Sequence, residues 1–443
     1  MLQLRKAPNQ SLHNKIMQTY EDFEAKFQIE QLSNNVTYSS PVNFGEAMEA
    51  PRHRWFPYKE GFSPTFASNF INEALGKNKG IVLDPFCGVG TTVIEAAKLG
   101  HNGIGFDVSP LAIFISYAKS TPSANGLTRL LEKELTKLRD KTSFDMSLPP
   151  DNDTVVRYFE KQYLESLLRL KSFAQSRSDT TVRSLFKLAL LTLVEQYSTH
   201  RKTGNGVKKK TRLNYGLEGI HPLEEVKLSL IKVVKTYCED IKSTPLKSTP
   251  DFFQTSSAED HIYANHKDVD VILTSPPYAN CFDYSKIYMN ELWLGDFFKT
   301  KTDQSQFRTS SVRSHVHATW EDRYQEHGLC LVENEIRQYL DEQELWSKRI
   351  GDMLSGYFKD LGRTLNLTKK IMRPNGVVGF VVSNSFYGGL PIPTDLLLAE
   401  LARQEGYKVV KIQVYRKIVP SSQQYKRVHN KKHMRESLVI LKV

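Results

Sequence analysis

The chain has 443 residues, a formal net charge of +11 and an apolar fraction of 40%, enough for one large domain with insertions or for two domains. Its four cysteines, Cys87, Cys238, Cys281 and Cys330, form no C-x-x-C pair, so neither a zinc site nor a disulfide framework is indicated and a reducing interior is expected. No run reaches the ~20 apolar residues of a membrane span, Met1–Tyr20 lacks an apolar signal core, and the positive charge is spread too evenly to argue by itself for a polyanionic partner.

Residues 1–50 are polar and mixed, with helical character around His13–Ile29 and a Ser/Asn-rich link at Ser33–Ser40. They read as an N-terminal extension without assigned chemistry. Aromatic and basic residues alternate from Pro51 through Arg54-Trp55-Phe56 to Pro64. That mixture suits a flat charged ligand or a nucleic acid backbone, and equally a buried aromatic lid over the next strand. Ser63 or Pro64 opens a helix to Leu75.

Ile81-Val82-Leu83 is a short strand, followed by Asp84-Pro85-Phe86-Cys87-Gly88-Val89-Gly90-Thr91-Thr92 and a helical run, Val93–Leu99. Strand, glycine turn and helix N-terminus together let a backbone approach a ligand closely. The spacing is neither a full G-x-G-x-x-G, because Val93 fills the third position, nor a P-loop. A second strand, Gly103–Asp107, ends 23 residues after Asp84. An acidic residue about 20 residues beyond such a turn grips a ribose diol; a solvated strand-end aspartate is the alternative.

Residues 121–249 interrupt the strand–helix alternation with a mainly helical insertion, marked by apolar spacing in Leu127–Leu138, Tyr158–Phe173 and Val182–Tyr197. Within it, His200–Arg212 reads as a basic loop made flexible by Gly204 and Gly206. Arg201, Lys202, Asn205, Lys208, Lys209, Lys210 and Arg212 are candidate phosphate contacts. The alternative is a solvated loop on a basic protein.

The α/β pattern returns at Phe252-Phe253-Gln254. Asp260, with Glu259 as its competitor, is placed to bind a purine amine at a third strand end. The apolar strand Asp268–Leu273 then runs into Thr274-Ser275-Pro276-Pro277-Tyr278. Neither proline donates a backbone hydrogen bond, each fixes its own φ, and the first holds Ser275 extended. A rigid strand end of this kind presents a hydroxyl, outward carbonyls and a ring face to a flat amine. A proline-ended strand with a loop tyrosine is the plainer alternative.

Further on, the pattern predicts an amphipathic helix near Ile287–Phe298 and a polar loop near the substrate, Lys299–Thr319, with Arg308, Arg313, His315 and His317. No acidic or cysteine cluster completes a metal site around the His-x-His pair. A helix over Met353–Met372, a turn at Pro374-Asn375-Gly376, a strand over Val377–Val382 and a helix over Thr394–Gln404 follow. Val409–Val414 and Ser437–Lys442 read as a final hairpin at the sheet edge, joined by a basic link, Tyr415–Arg435, suited to nucleic acid.

The two motifs, in this order and on strand ends, resemble the S-adenosylmethionine-dependent amino-methyltransferases of DNA. The nearest branch methylates cytosine N4, where Ser-Pro-Pro-Tyr is typical; the adenine-N6 branch more often has Asp or Asn first. The resemblance covers residues 51–120 and 250–443. It implies an α/β, Rossmann-like class I methyltransferase sheet with helices on both faces. It says little about the helical insertion, residues 121–249, which falls before the third motif, outside the usual family places for target recognition; 121–249 and 299–350 are rival candidates for reading the DNA target. The resemblance implies that Phe62, Ser63 and Pro64 hold the methionine end of S-adenosyl-L-methionine. By the same resemblance, Asp84, Phe86, Cys87, Gly88, Gly90 and Thr91 match the cofactor loop, Asp107 the ribose ligand and Asp260 the adenine ligand. Ser275, Pro276, Pro277 and Tyr278 likewise match the family's catalytic loop.

It further implies a cytoplasmic, nucleoid-associated prokaryotic enzyme acting on double-stranded DNA at a specific site. The chain has no nuclease motif, so a cognate restriction endonuclease would be encoded separately. A cytosine-C5 mechanism needs a Pro-Cys nucleophile, and the chain has none. Adenine-N6 methylation, N-methylation of guanine in transfer RNA, and a non-catalytic DNA-binding subunit stay open as alternatives. Protein-glutamine enzymes of this fold favour Asn where Ser275 stands.

Overall fold

The computed structural model describes residues 9–33, 40–124, 126–204, 206–257, 259, 263–318, 320–321, 323–418 and 432–443. Its strands are β1 (Ile29–Gln31), β2 (Ile81–Asp84), β3 (Asn102–Asp107), β4 (His200–Thr203), β5 (Gly206–Lys209), β6 (Asp251–Gln254), β7 (Val269–Thr274), β8 (Met372–Ser383), β9 (Ser385–Tyr387), β10 (Leu390–Ile392), β11 (Lys408–Lys417) and β12 (Arg435–Lys442). Eight form one sheet in the order β1-β11-β12-β8-β7-β2-β3-β6. Its pairings are parallel except the two that β12 makes.

Strands covered on both faces need continuous apolar runs, because neighbouring side chains point to opposite sides. Leu83, Ile272 and Val382 enter one core with the helices Ile350–Ile371 and Thr394–Gln404. Their neighbours Val82, Val271 and Val381 enter the other, with Phe66, Phe70 and Ile71 of the helix Pro64–Leu75. From β2 the chain steps outward to β3 and β6; from β7 it steps the other way to β8. The crevice beyond the ends of β2 and β7 is therefore a topological switch point, where open α/β sheets bind ligands.

The helices Leu127–Asp140, Lys161–Gln175, Thr180–Tyr197 and Pro222–Ser243 build a third core. Trp55, Phe56, Leu111 and Trp293 belong to it too, so the insertion packs continuously onto the sheet domain. The aromatic–basic stretch folds inward as a lid. Asp240 accepts from the Arg52 amide, the Trp55 indole and the Arg54 guanidinium at 2.9, 2.8 and 2.6 Å.

Four expectations are corrected. The last hairpin is not the sheet edge: β12 lies between β8 and β11, and β1 covers β11. One amphipathic helix near Ile287–Phe298 is instead two short ones, Tyr284–Ile287 and Met289–Leu294, broken at Tyr288. The polar stretch after it is not all loop. Lys301–Ser310 is helical, started by a reciprocal capping box between Thr300 and Asp303. The basic segment of the insertion is not a loop but a β4–β5 hairpin.

Candidate active site

Three strand ends make the site. The Thr274 hydroxyl at the end of β7 donates to Asp84 Oδ1 at the end of β2, 2.6 Å away, and the Phe86 amide donates to the same oxygen at 3.1 Å. The Thr92 hydroxyl donates to the Leu273 carbonyl at 3.0 Å. These bonds tie the glycine turn to the Ser-Pro-Pro-Tyr strand. The turn closes through the Gly90 amide on the Cys87 carbonyl, 2.7 Å. Gly90 has φ +83°, and a Cβ there would lie 2.9 Å from Ser116 Oγ. A side chain is excluded by conformation and by space.

Asp107 closes the turn from β3. Its Oδ2 accepts from the Gly88 amide at 2.9 Å and its Oδ1 from the Ser109 amide at 2.8 Å. Each oxygen keeps a further lone pair for a ligand. Burial pushes the carboxyls up, to about 6 for Asp107 and about 7 for Asp84.

Three adjoining cavities meet at Ser275. The first is walled by Asp107, Gly88, Phe86, Ser257 and Pro277. The second lies over the turn, between Phe62, Asp84, Gly88, Thr91 and Lys119. The third, about 350 Å³, is lined by Pro276, Tyr278, Asn280, Phe282, Arg416 and Glu436. Ser275 and Glu60 border all three. Two cavities on the turn side and one on the outer side suit two ligands brought together at one hydroxyl.

Most of the expected residues converge, but several do not. Ser63 caps its helix, accepting from the Phe66 amide at 3.0 Å, and Pro64 is buried at the first helical position. Both serve the helix; only Phe62 of the three reaches the cavities. The Cys87 thiol packs with Val93, Ile113 and Phe252, so its contribution is largely backbone. Asp260 and Asn205 lie outside the described residues.

Lys202 is not a surface contact. It turns inward, pairs with Glu291 and with Glu195 (3.3 Å), and sits 4.6 Å above the Tyr288 ring. The β4–β5 pleat places it on the inner face, where two carboxylates compensate its burial. Lys210 is likewise engaged, donating to the Glu195 and Gln196 carbonyls at 2.6 and 2.9 Å. Arg201, Lys208, Lys209 and Arg212 are exposed.

Three residues escaped the sequence reading. Lys119, at the end of the helix Pro110–Lys119, is 1% exposed and borders the second cavity. Among the described residues no carboxylate pairs with it, and burial pulls its ammonium down to about 7. A lysine closing an apolar helix was the available signal. Glu60 is buried, accepts from the Tyr288 hydroxyl at 2.5 Å, and is pushed up by burial. Glu436 accepts from the Tyr278 hydroxyl at 2.9 Å and pairs with Arg416. Nothing local in sequence marks it.

A mostly parallel sheet with a glycine turn, a strand-end carboxylate and a second cavity at the switch point is the α/β arrangement in which nucleoside cofactors bind. Residues 3–117 match the family described as DNA methylase, the N6/N4 amino-methyltransferases. Type II methyltransferase M.BsoBI of Geobacillus stearothermophilus is 29% identical over 433 residues, covering 88% of this chain and 85% of that protein. Type II methyltransferase M.AvaI of Nostoc sp. is 23% identical over 438 residues, covering 90% and 88%. Type II methyltransferase M.MvaI of Kocuria varians is 21% identical over 391 residues, covering 80% and 81%. The family match and the type II relatives together support the N6/N4 DNA amino-methyltransferases as the family this chain resembles, and they imply S-adenosylmethionine as the methyl donor. The residues present fit that cofactor. A buried carboxylate with spare acceptor capacity faces the first cavity, and a buried ammonium, without a counterion among the described residues, faces the second.

Proposed function

We propose that the chain is a site-specific DNA methyltransferase acting on the N4 amine of a flipped-out cytosine, within a restriction-modification system whose endonuclease is encoded separately. One observation carries this reading: Ser275, not a carboxylate, stands where the cofactor-side cavities meet the third one. The type II relatives support the system; serine as the first residue of the loop supports cytosine.

S-adenosylmethionine supplies an electrophilic methyl group. Asp107 would grip the ribose hydroxyls, Lys119 the carboxylate, and the Gly88–Gly90 turn would admit the chain between them. Ser275 Oγ and the Pro276 carbonyl would accept the two amine hydrogens in the third cavity. That orientation turns the nitrogen lone pair out of conjugation and toward the methyl group. Alignment of this kind supplies much of a transfer barrier. Tyr278 and Phe282 would wall the base. Extruding the base costs a few kcal/mol, offset by phosphate contacts from Arg201, Lys208, Lys209 and Arg212.

The insertion is the better candidate for target reading. Its hairpin brings Thr203 and Gly204 to the wall of the third cavity, whereas the helix Lys301–Ser310 borders the first. The test is mass spectrometry of nucleosides from plasmid incubated with the protein and S-adenosylmethionine. N4-methylcytosine is expected. N6-methyladenine would move the enzyme to the other branch, and an unmodified plasmid would reject the reading.

A further inference from the structure

A single hydrogen-bonded row leads away from the reacting position. Ser275 Oγ donates to Tyr278 Oη at 3.4 Å, and Tyr278 Oη donates to Glu436 Oε1 at 2.9 Å. The other Glu436 oxygen is held by Arg416 Nε at 2.5 Å. All four side chains border the third cavity. Both hydroxyl donors point the same way, outward from the place of the amine, and the row ends on a carboxylate. Glu436 is fixed in the middle of the sheet, opposite Ser383 of β8 and Arg416 of β11. Glu60 borders the same cavity, but its carboxylate is bound by the Tyr288 hydroxyl.

We propose that Ser275, Tyr278 and Glu436 form a proton wire that carries the surplus proton of the methylated amine to the Glu436 carboxylate. This rests on the reading of Ser275 as the group facing the target amine. An amine nitrogen that gains a methyl group holds one proton more than the neutral product. That N–H bond breaks as Ser275 Oγ takes the proton. The original Ser275 proton passes to Tyr278 Oη, and the original Tyr278 proton passes to Glu436 Oε1. Both hydroxyls are restored and Glu436 ends as a neutral carboxyl, which loses its proton to solvent once the product leaves.

A hydroxyl cannot keep a second proton, whereas a carboxylate can. In a cavity closed by DNA, water is not at hand to take it. Burial raises the proton affinity of Glu436, and the Arg416 guanidinium works in the opposite direction. Among the described residues, the charged or titratable groups facing it are Arg416 from β11 and Tyr278 from the loop after β7; Ser383 on β8 is neutral. The 3.4 Å step is long for a hydrogen bond, and such contacts tighten when substrate is engaged.

The test uses the full chain, wild type and the variants E436Q, Y278F and their double. Single-turnover methyl transfer to plasmid is followed from pH 5.5 to 8.5, with calorimetry of cofactor binding and thermal melting alongside. The side-chain amide that E436Q introduces would still accept from Tyr278 but take no proton. Each single variant is expected to slow transfer roughly 100-fold, at the lower end of general-base contributions. With cofactor saturating at every pH, the double variant should be no slower, the low-pH decline of the transfer step should vanish, and cofactor affinity at each pH should match the wild type. E436Q at the wild-type rate, with the wild-type pH profile, overturns the wire while methylation itself stands. If E436Q fails to fold, Y278F decides: a wild-type profile overturns the wire. A wild type that methylates no DNA removes the functional reading and the wire together.

Discussion

The Thr274 hydroxyl reaches across from β7 to Asp84 Oδ1 of β2 at 2.6 Å, with both residues buried. The bond joins the two motifs, 190 residues apart. Thr274→Val keeps the shape and leaves a buried carboxyl short of a donor, a loss of about 1–3 kcal/mol. A lower melting temperature and weaker cofactor binding are expected together. Unchanged melting would mean that the strand ends are held in register by other contacts.

Lys119→Met should separate stability from binding. The folded chain holds its ammonium at about 7 against an ordinary 10.5. Between those values the folded state binds fewer protons than the unfolded, so this group makes stability rise with pH across that window. Removing it should flatten that slope and raise the melting temperature near neutral pH. Calorimetry should show S-adenosylmethionine binding weakened at least ~10-fold, the loss of one charge-assisted contact.

Asp107 and Asp84 act in the opposite sense. Their folded values, about 6 and about 7, lie above the ordinary 3.8. From about pH 4 to 7 the folded state binds more protons than the unfolded. Stability of the ligand-free chain should therefore decline as pH rises through that window. Cofactor affinity should change the other way, weakening as pH falls below about 6 and Asp107 is protonated. Titration calorimetry at several pH values checks this, and Asp107→Ala should be weak throughout.

Ser275→Ala should lower kcat by about 10²-fold or more, on the order of one positioned hydrogen-bonding group, with cofactor affinity retained. Fluorescence of 2-aminopurine at the target position would show whether the base still leaves the helix. Full activity in this variant would remove Ser275 from the proposed role.

Neutralising Arg201, Lys208 and Lys209 to Gln should weaken DNA binding. It should also flatten the dependence of log K on log salt by up to about 2.7, at ~0.9 per phosphate contact. Lys202→Gln should behave differently. It breaks the buried pairing with Glu195 and Glu291, so it should lower the melting temperature and leave the salt slope alone. Measuring both variants by salt titration distinguishes the outer from the inner face of the hairpin.

Much of the fold was legible because its signals are local. The helix Thr394–Gln404 has the bounds its periodicity predicts, and Ser63-Pro64 starts its helix as cap chemistry dictates. Asp84, Gly90, Asp107 and Ser275 converge because each stands at a strand end or a turn, where residue type follows from backbone geometry. What escaped depends on partners distant in sequence. Glu436 meets Tyr278 across 158 positions. Lys202 is drawn inward by Glu291, 89 positions away. β1 is three residues long, too short to show periodicity, and joins the sheet only because β11 offers an edge. The helix Lys301–Ser310 has a single buried residue, Phe307, so its pattern resembled a loop.

The most direct test of the central claim is single-molecule sequencing of plasmid from cells expressing the chain, with modified cytosine and modified adenine scored separately. The account predicts N4-methylcytosine at one short motif, lost in Ser275→Ala. Methylated adenine at that motif, or no mark on DNA from a chain that binds S-adenosylmethionine, would contradict it.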